Sequence, residues 1–237
     1  MRITYYGHSC FLVEVGGQKL LFDPFITGNP QHAASTIDVN TIKPDYILIS
    51  HGHADHVADV ELIASQSEAQ IIGVAEVVGW YEDKGFKGIG MNTGGRHQFD
   101  FGLLRVVTAV HSSSFPDGSY AGNPVGFVIS NPTGGTFYFA GDTALTLDMQ
   151  LIPQLCPRLD FAILPIGDHF TMGYEDAVIA SNFIQCNTII GCHFDTFDRI
   201  KIDQSAAKEA FTQASKTLFL PEIGMSFNIK KKDSTRQ

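Results

Sequence analysis

The sequence predicts an α/β (α+β) chain built as a four-layer αββα sandwich, two packed β-sheets with helices on their outer faces. Three observations carry this. Short apolar strands bounded by Gly, Pro and Asn turns recur along the chain. Segments of helical periodicity are interleaved with them. The pattern runs through two successive halves, each opening on strands, which is how two sheets come to share a core. The chain has 237 residues, 44% hydrophobic and 17% charged, enough to bury a substantial core.

From the start, RITYYGHS, CFLVEVGG and QKLLFDPF read as an antiparallel meander of three strands joined by tight Gly turns. Pro24 cannot continue a ladder, so 24–44 is expected to be a loop. DYILIS is the next strand. HVADVELIASQS follows as a helix with Val57, Val60, Leu62, Ile63 and Ala64 apolar. QIIGV is a strand and AEVVGWYEDKG a short helix ending at Gly85. The segment from Phe86 to Val110 holds several strands separated by Gly94-Gly95 and Gly102. VGFVIS and GTFYFA form a hairpin through NPTG. A helix is expected over LTLDMQLIPQL, then the strand DFAILPI, the helix YEDAVIASNFIQ, the strand TIIGC, the helix DQSAAKEAFTQAS, and a closing strand pair from TLFLPEIG and SFNI.

No linker or charge block divides the chain, which predicts one domain over 1–229 and a basic, solvated tail at 230–237. The net charge of −9 disfavours nucleic acid as a partner, since phosphate contact needs clustered Lys and Arg. The opening RITYYGHSCFLVEV alternates like a strand and lacks the basic-then-apolar form of a leader. No apolar run approaches the roughly 18 residues of a membrane span. Cys10, Cys156, Cys186 and Cys192 have no metal spacing and read as reduced thiols, so a cytoplasmic protein is expected. Association into a homo-oligomer is left open.

The densest chemistry is HGHADH, His51 to His56, directly after the strand DYILIS. His51, His53, Asp55 and His56 put imidazole and carboxylate donors on one turn, where several can converge on a cation. Three further strands also end on a potential ligand: VTAV on His111, GTFYFA on Asp142 through one glycine, and TIIGC on His193. Taken singly, His111 or His193 reads equally well as a histidine bonded in the core. As a set on strand ends, where rigid scaffolds present functional groups, they read as a metal site. Gly141, lacking a Cβ, is expected to let the backbone approach the metal closely.

HGHADH matches the H-x-H-x-D-H signature of the metallo-β-lactamase superfamily, and His111, Asp142 and His193 follow in the order that family uses. The chain is most similar to its compact metal-dependent hydrolases of unassigned substrate, through YYGHSCF, LFDPF, VTAVHSSS, AGDTAL, IGDHFTMG and GCHFDTF. Lactone-phosphate hydrolases and phospholipase-D-like phosphodiesterases resemble it more distantly. The resemblance implies the metallo-β-lactamase fold and two divalent ions. It assigns His51, His53 and His111 to one ion, Asp55, His56 and His193 to the other, and Asp142 as the bridge. Zn²⁺ suits these donors first, with Mn²⁺ or Fe²⁺ also compatible because no thiolate is present. The implied reaction is hydrolysis of an ester, lactone or phosphodiester of a small molecule by a metal-activated hydroxide, with Asp55 orienting it and taking up its proton. The bridging carboxylate disfavours a β-lactam substrate.

Other residues are weaker candidates. His8 either supports the metal ligands from behind or contacts substrate, or is a turn histidine bonded to backbone. Asp23 either bonds a ligand histidine or starts a turn before Pro24. His169 is a candidate general acid, with Asp168 either as its orienter or as a group supporting the metal ligands from behind. Asp195 is either a supporting carboxylate or a helix cap. Phe115, Tyr120, Phe170 and Tyr174 fall in cleft-side loops, and specificity is expected in loops 24–44, 112–124 and 168–174.

Two rivals remain. A di-iron oxygen- or nitric-oxide-reducing protein of the same fold would resemble H-x-E-x-D, with glutamate in place of His53. A non-catalytic metal-binding protein would have its cleft sealed by the 112–124 loop.

Overall fold

The computed structural model describes residues 1–31 and 37–231. Residues 32–36 of the first expected specificity loop and 232–237 of the expected tail lie outside the described residues. Among the described residues, two seven-stranded sheets pack face to face. In the first, β1 (Arg2–Gly7), β2 (Cys10–Val15) and β3 (Gln18–Phe22) form the expected antiparallel meander. β4 (Tyr46–Leu48), β5 (Gln70–Val74) and β6 (Gly88–Met91) extend it in parallel. In the second, β7 (Arg96–Phe99), β8 (Gly102–Thr108), β9 (Val125–Asn131) and β10 (Gly135–Phe139) are antiparallel neighbours. β11 (Phe161–Pro165), β12 (Thr188–Cys192) and β13 (Thr217–Phe219) continue from β10 in parallel.

Strand periodicity divides the core. On β10 and β11, Phe137, Phe139, Phe161 and Ile163 face the space between the sheets. Their neighbours Tyr138, Ala140, Ala162 and Leu164 face the helices behind the second sheet. Residues two apart share a face, so strands covered on both sides are apolar throughout. Phe22 of the first sheet meets Phe139 and Phe137 of the second at ring-centroid distances of 4.7 and 6.0 Å, fixing the two sheets against each other.

The helices are α1 (Ala54–Val57), α2 (Val60–Ser67), α3 (Ala75–Glu82), α4 (Ile152–Leu155), α5 (Tyr174–Phe183) and α6 (Gln204–Gln213). α3 lies against β5 and β6, α5 against β11 and α6, and α6 against β13. No helix among the described residues is long and apolar enough to cross a membrane. Three of the four cysteines, Cys10, Cys186 and Cys192, are buried.

Three sequence expectations change. The helix read over 56–67 begins at Ala54 and is interrupted before Val60. The break is at Asp59, whose carboxylate accepts from Ile26 N at 2.6 Å and Thr27 N at 2.9 Å instead of capping the helix. The helix read over 145–155 is a 3₁₀ turn, Leu147–Leu151, followed by α4 with a proline in its first turn, the place where a missing N–H costs least. The closing strands do not pair with each other. β13 joins β12, while β14 (Ser226–Asn228) crosses to the first sheet beside β1. Strand propensity marks both segments but cannot say which edge each will meet.

Candidate metal centre

β4, β8, β10 and β12 all deliver their following residues to one end of the sandwich. Ser50 O accepts from Val125 N at 3.0 Å, tying the end of β4 to the start of β9. Gly141 fits closely here. A Cβ would lie 2.7 Å from Ser50 Cβ and 2.9 Å from Val125 O, and its φ is +63°. The glycine therefore lets the two sheets approach closely at this point, which brings Asp142 beside His51.

Two donor groups converge at this end. His51, His53 and His111 form one; Asp55, His56, His193 and also His8 form the other, with donor atoms inside each group within 4.8 Å of one another. Asp142 Oδ2 stands between them. It is 3.0 Å from His193 Nε2, 3.3 Å from His56 Nε2, 3.6 Å from His111 Nε2 and 3.9 Å from His51 Nε2. Asp142 Oδ1, His56 Nε2 and His193 Nδ1 are buried without a hydrogen-bond partner. Orphaned donors and acceptors of this kind are costly unless a further group satisfies them, and imidazole with carboxylate is a donor set for Zn²⁺, Mn²⁺ or Fe²⁺. The residues fit a metal.

The rings are held by a second layer of contacts. Asp23 accepts from Ser50 N at 2.8 Å, Ser50 Oγ at 2.6 Å and His56 Nδ1 at 2.8 Å. Ser50 Oγ, having given its proton to Asp23, accepts from His51 Nδ1 at 2.9 Å. His56 thus keeps Nε2 without a hydrogen-bond partner at the pocket, while His51 Nε2 also faces inward and lies 2.9 Å from His53 Nδ1. Asp23→Asn is expected to weaken metal binding about 10- to 100-fold, the range for losing such an orienting carboxylate. Chelator competition measures it, and unchanged affinity would contradict this role.

Among the described residues, nine other than glycine have positive φ, and six are candidates from the sequence: His8, Asp23, Asp168, His169, His193 and Asp195. Left-handed backbone costs such residues energy and concentrates at functional sites, where the surroundings over-determine it.

The remaining candidates separate. Asp195 accepts from Ile202 N at 2.9 Å and Gln204 Nε2 at 2.7 Å, so it is a loop and helix-start acceptor. Asp168 and His169 are exposed and outside both donor groups. His169 Nε2 accepts from Arg199 Nη1 at 3.5 Å, so in this arrangement that nitrogen offers no proton. Asp168 instead organises a turn through its backbone, donating to Met172 O and accepting from Phe170 N and Thr171 N. Phe115 is buried, stacked on Trp80 at 4.3 Å, and pins the 112–124 loop to α3. Ser112 and Ser113 of that loop lie 3.4 Å from His53 Nε2 and 3.2 Å from Gly52 N. The loop nonetheless leaves His53, Asp55 and His111 partly accessible. Phe170 and Tyr120 are exposed. Ser50, Asp59 and Thr196 were not singled out by sequence; a serine before HGHADH or a threonine after His193 has no distinguishing pattern until Asp23 and His8 are seen beside them.

Electrostatics follows from burial and crowding. Burial lowers His51, His53 and His111, and lowers His8 to about 4. His56 goes the other way: burial opposes its charge, but Asp142, Asp23 and Asp55 together raise it well above the usual range. Burial also works against ionised Asp142, yet His193 and His56 hold it well below the carboxylate range. Burial pushes Asp23 up, against the pull of His56 and Ser50.

Metal-free protein is therefore expected to lose stability as pH falls from 6.5 to about 4. The unfolded His8 ring takes its proton first, so its contribution is present above that window and lost on descending through it. His51, His53 and His111 act in the same sense. His56 is protonated in both states there and contributes no slope, and the single raised Asp23 opposes four histidines. Urea unfolding at several pH values measures this, and a flat profile would contradict it.

Fold and site together define a metal-dependent hydrolase of the metallo-β-lactamase fold. Residues 2–193 match the Beta-lactamase superfamily domain, and the chain belongs to that superfamily as one of its metal-dependent hydrolases. It is 54% identical to a UPF0173 metal-dependent hydrolase of Flavobacterium johnsoniae, over 97% of this chain and 100% of that one. Among solved structures it is similar to Igni18, a metallo hydrolase of Ignicoccus hospitalis, with a TM-score of 0.82 and 32% identity, covering 97% of this chain and 99% of that one. An isothiocyanate hydrolase from Delia radicum gut bacteria shares the fold, with a TM-score of 0.77 at 18% identity over 98% of this chain and 100% of that one.

Proposed function

We propose that the protein is a binuclear hydrolase that opens an ester, lactone or phosphodiester bond of a small molecule. One observation carries the reading: Asp142 Oδ2 lies within 3.0 to 3.9 Å of ring nitrogens from both donor groups. A single carboxylate so placed can neutralise and bridge two cations. Two divalent ions, Zn²⁺ foremost and Mn²⁺ or Fe²⁺ also suited, would supply Lewis acidity and a water of lowered pKa. The chain's own residues do the rest. Asp23 and Ser50 aim His56 and His51. Asp142 is almost fully buried and stays ionised against the histidines around it. Asp55 is more accessible, with 27% of its side chain exposed, and is the carboxylate able to orient the attacking water and receive its proton. His53 in place of glutamate favours hydrolysis over di-iron redox chemistry.

The test loads the full chain with Zn²⁺ or Mn²⁺, measures metal content, and offers lactones, thioesters and bis-p-nitrophenyl phosphate. Turnover that requires two ions per chain supports the reading. Two bound ions with no turnover on any of these substrates, or turnover complete with one ion, would sink it.

A further inference from the structure

We propose that His8 is a further protein ligand of the second ion, beside Asp55, His56 and His193; this rests on the two-ion reading above. His8 lies in the β1–β2 turn, wholly buried, with φ +54°. Its carbonyl accepts from His193 N at 3.0 Å and from Tyr5 Oη at 3.2 Å, which fixes the turn to the end of β12. Its ring centroid is 4.2 Å from that of His193 and 5.5 Å from that of His56.

The hydrogen bonds point to which nitrogen is free. His8 Nδ1 is 2.9 Å from Thr196 Oγ1, and Nε2 is 3.2 Å from Asp55 Oδ2. The Thr196 hydroxyl also has two acceptors in reach, Phe194 O at 3.3 Å and Gln31 Oε1 at 3.4 Å. A hydroxyl has one proton to give. Given to either carbonyl, it leaves Thr196 to accept from His8 Nδ1–H, and His8 Nε2 then presents a lone pair to a carboxylate oxygen. Two acceptors that close repel each other unless a cation lies against both. His51 and His56 are arranged the same way, Nδ1 held by Ser50 or Asp23 and Nε2 turned inward. The same supporting device thus occurs at three buried histidines around one pocket.

With Asp142 shared, the second ion has five protein donors in reach and the first has four. Five exceed the tetrahedral set typical of structural zinc and suit an ion of higher coordination number, such as Mn²⁺ or Fe²⁺. The two pockets should therefore differ in metal preference.

The experiment titrates metal-free full chain with Co²⁺, following affinity and visible absorption, for the parent, His8→Ala, His8→Gln and Thr196→Val. The parent should take two ions, the second with the weak absorption of a high-coordinate site. Both His8 variants should hold the first ion within about threefold and lose about 100-fold in affinity for the second, with stronger absorption as its coordination falls. Thr196→Val should lose about tenfold at the second ion only. If His8 merely donates an N–H to Asp55, His8→Gln keeps the second ion and its spectrum, and the proposal is overturned. Should the His8 variants fail to fold by circular dichroism, Thr196→Val decides, and unchanged second-ion affinity there overturns it. A parent that binds one ion only defeats the two-ion reading itself, and is recognised before any variant is compared.

Discussion

Asp142→Asn is expected to lower kcat/KM by about 10³-fold or more, the scale of losing a central electrostatic group, and to reduce bound metal below two ions per chain. The substitution keeps size and shape but removes the charge that four histidine nitrogens share within 3.0 to 3.9 Å. Asparagine also turns an N–H₂ toward part of that ring, where it competes with a cation for the same nitrogens. Because Asp142 is one of the groups that raises His56, its loss should ease His56 back toward its neutral form. Elemental analysis beside steady-state kinetics on any substrate found by the screen measures the effect. A variant with two ions and near-parent turnover would show that Asp142 does not bridge.

Gly167→Ala is expected to destabilise the protein by about 3 kcal/mol, at the upper end of the usual range for overpacking. The added methyl would lie 2.0 Å from His193 O and 3.1 Å from Ile200 Cβ. The first of these is a backbone atom, so the loop after β11 must move away from the end of β12. A loss of that size corresponds to a fall in melting temperature of roughly 6–12 °C for a chain of this length. His193 would be displaced with its carbonyl, so the second donor group should suffer before the first. Thermal unfolding and metal titration check both parts. A melting temperature within about 1 °C of the parent would mean that the loop adjusts freely.

Much of the site was legible in the sequence because its parts are local. HGHADH places four donors within six residues, and strands of alternating apolar residues mark where His111, Asp142 and His193 emerge. The core was legible for the same reason: Phe137, Phe139 and Phe161 stand at strand spacing whatever they pack against. Less legible were features made by residues far apart in the chain. Asp23 and Ser50 are separated by 27 positions, and His8 and Thr196 by 188. Nothing in either short segment announces its partner. The helix read across 56–67 failed similarly, because Asp59 is committed to backbone N–H groups of Ile26 and Thr27.

The sequence by itself determined most of the candidate metal ligands and that strand ends carry them, since periodicity and spacing are properties of the local chain. Only the tertiary structure decided how they are grouped. It set Asp142 between two clusters, drew His8 into one of them, left His169 beside Arg199 outside both, and sent β14 back to β1. The physical reason is that ligation, tautomer choice and edge pairing depend on contacts of about 3 Å. Such distances are set by how two sheets pack, through Phe22 against Phe139 and Gly141 against Ser50, and not by position along the chain.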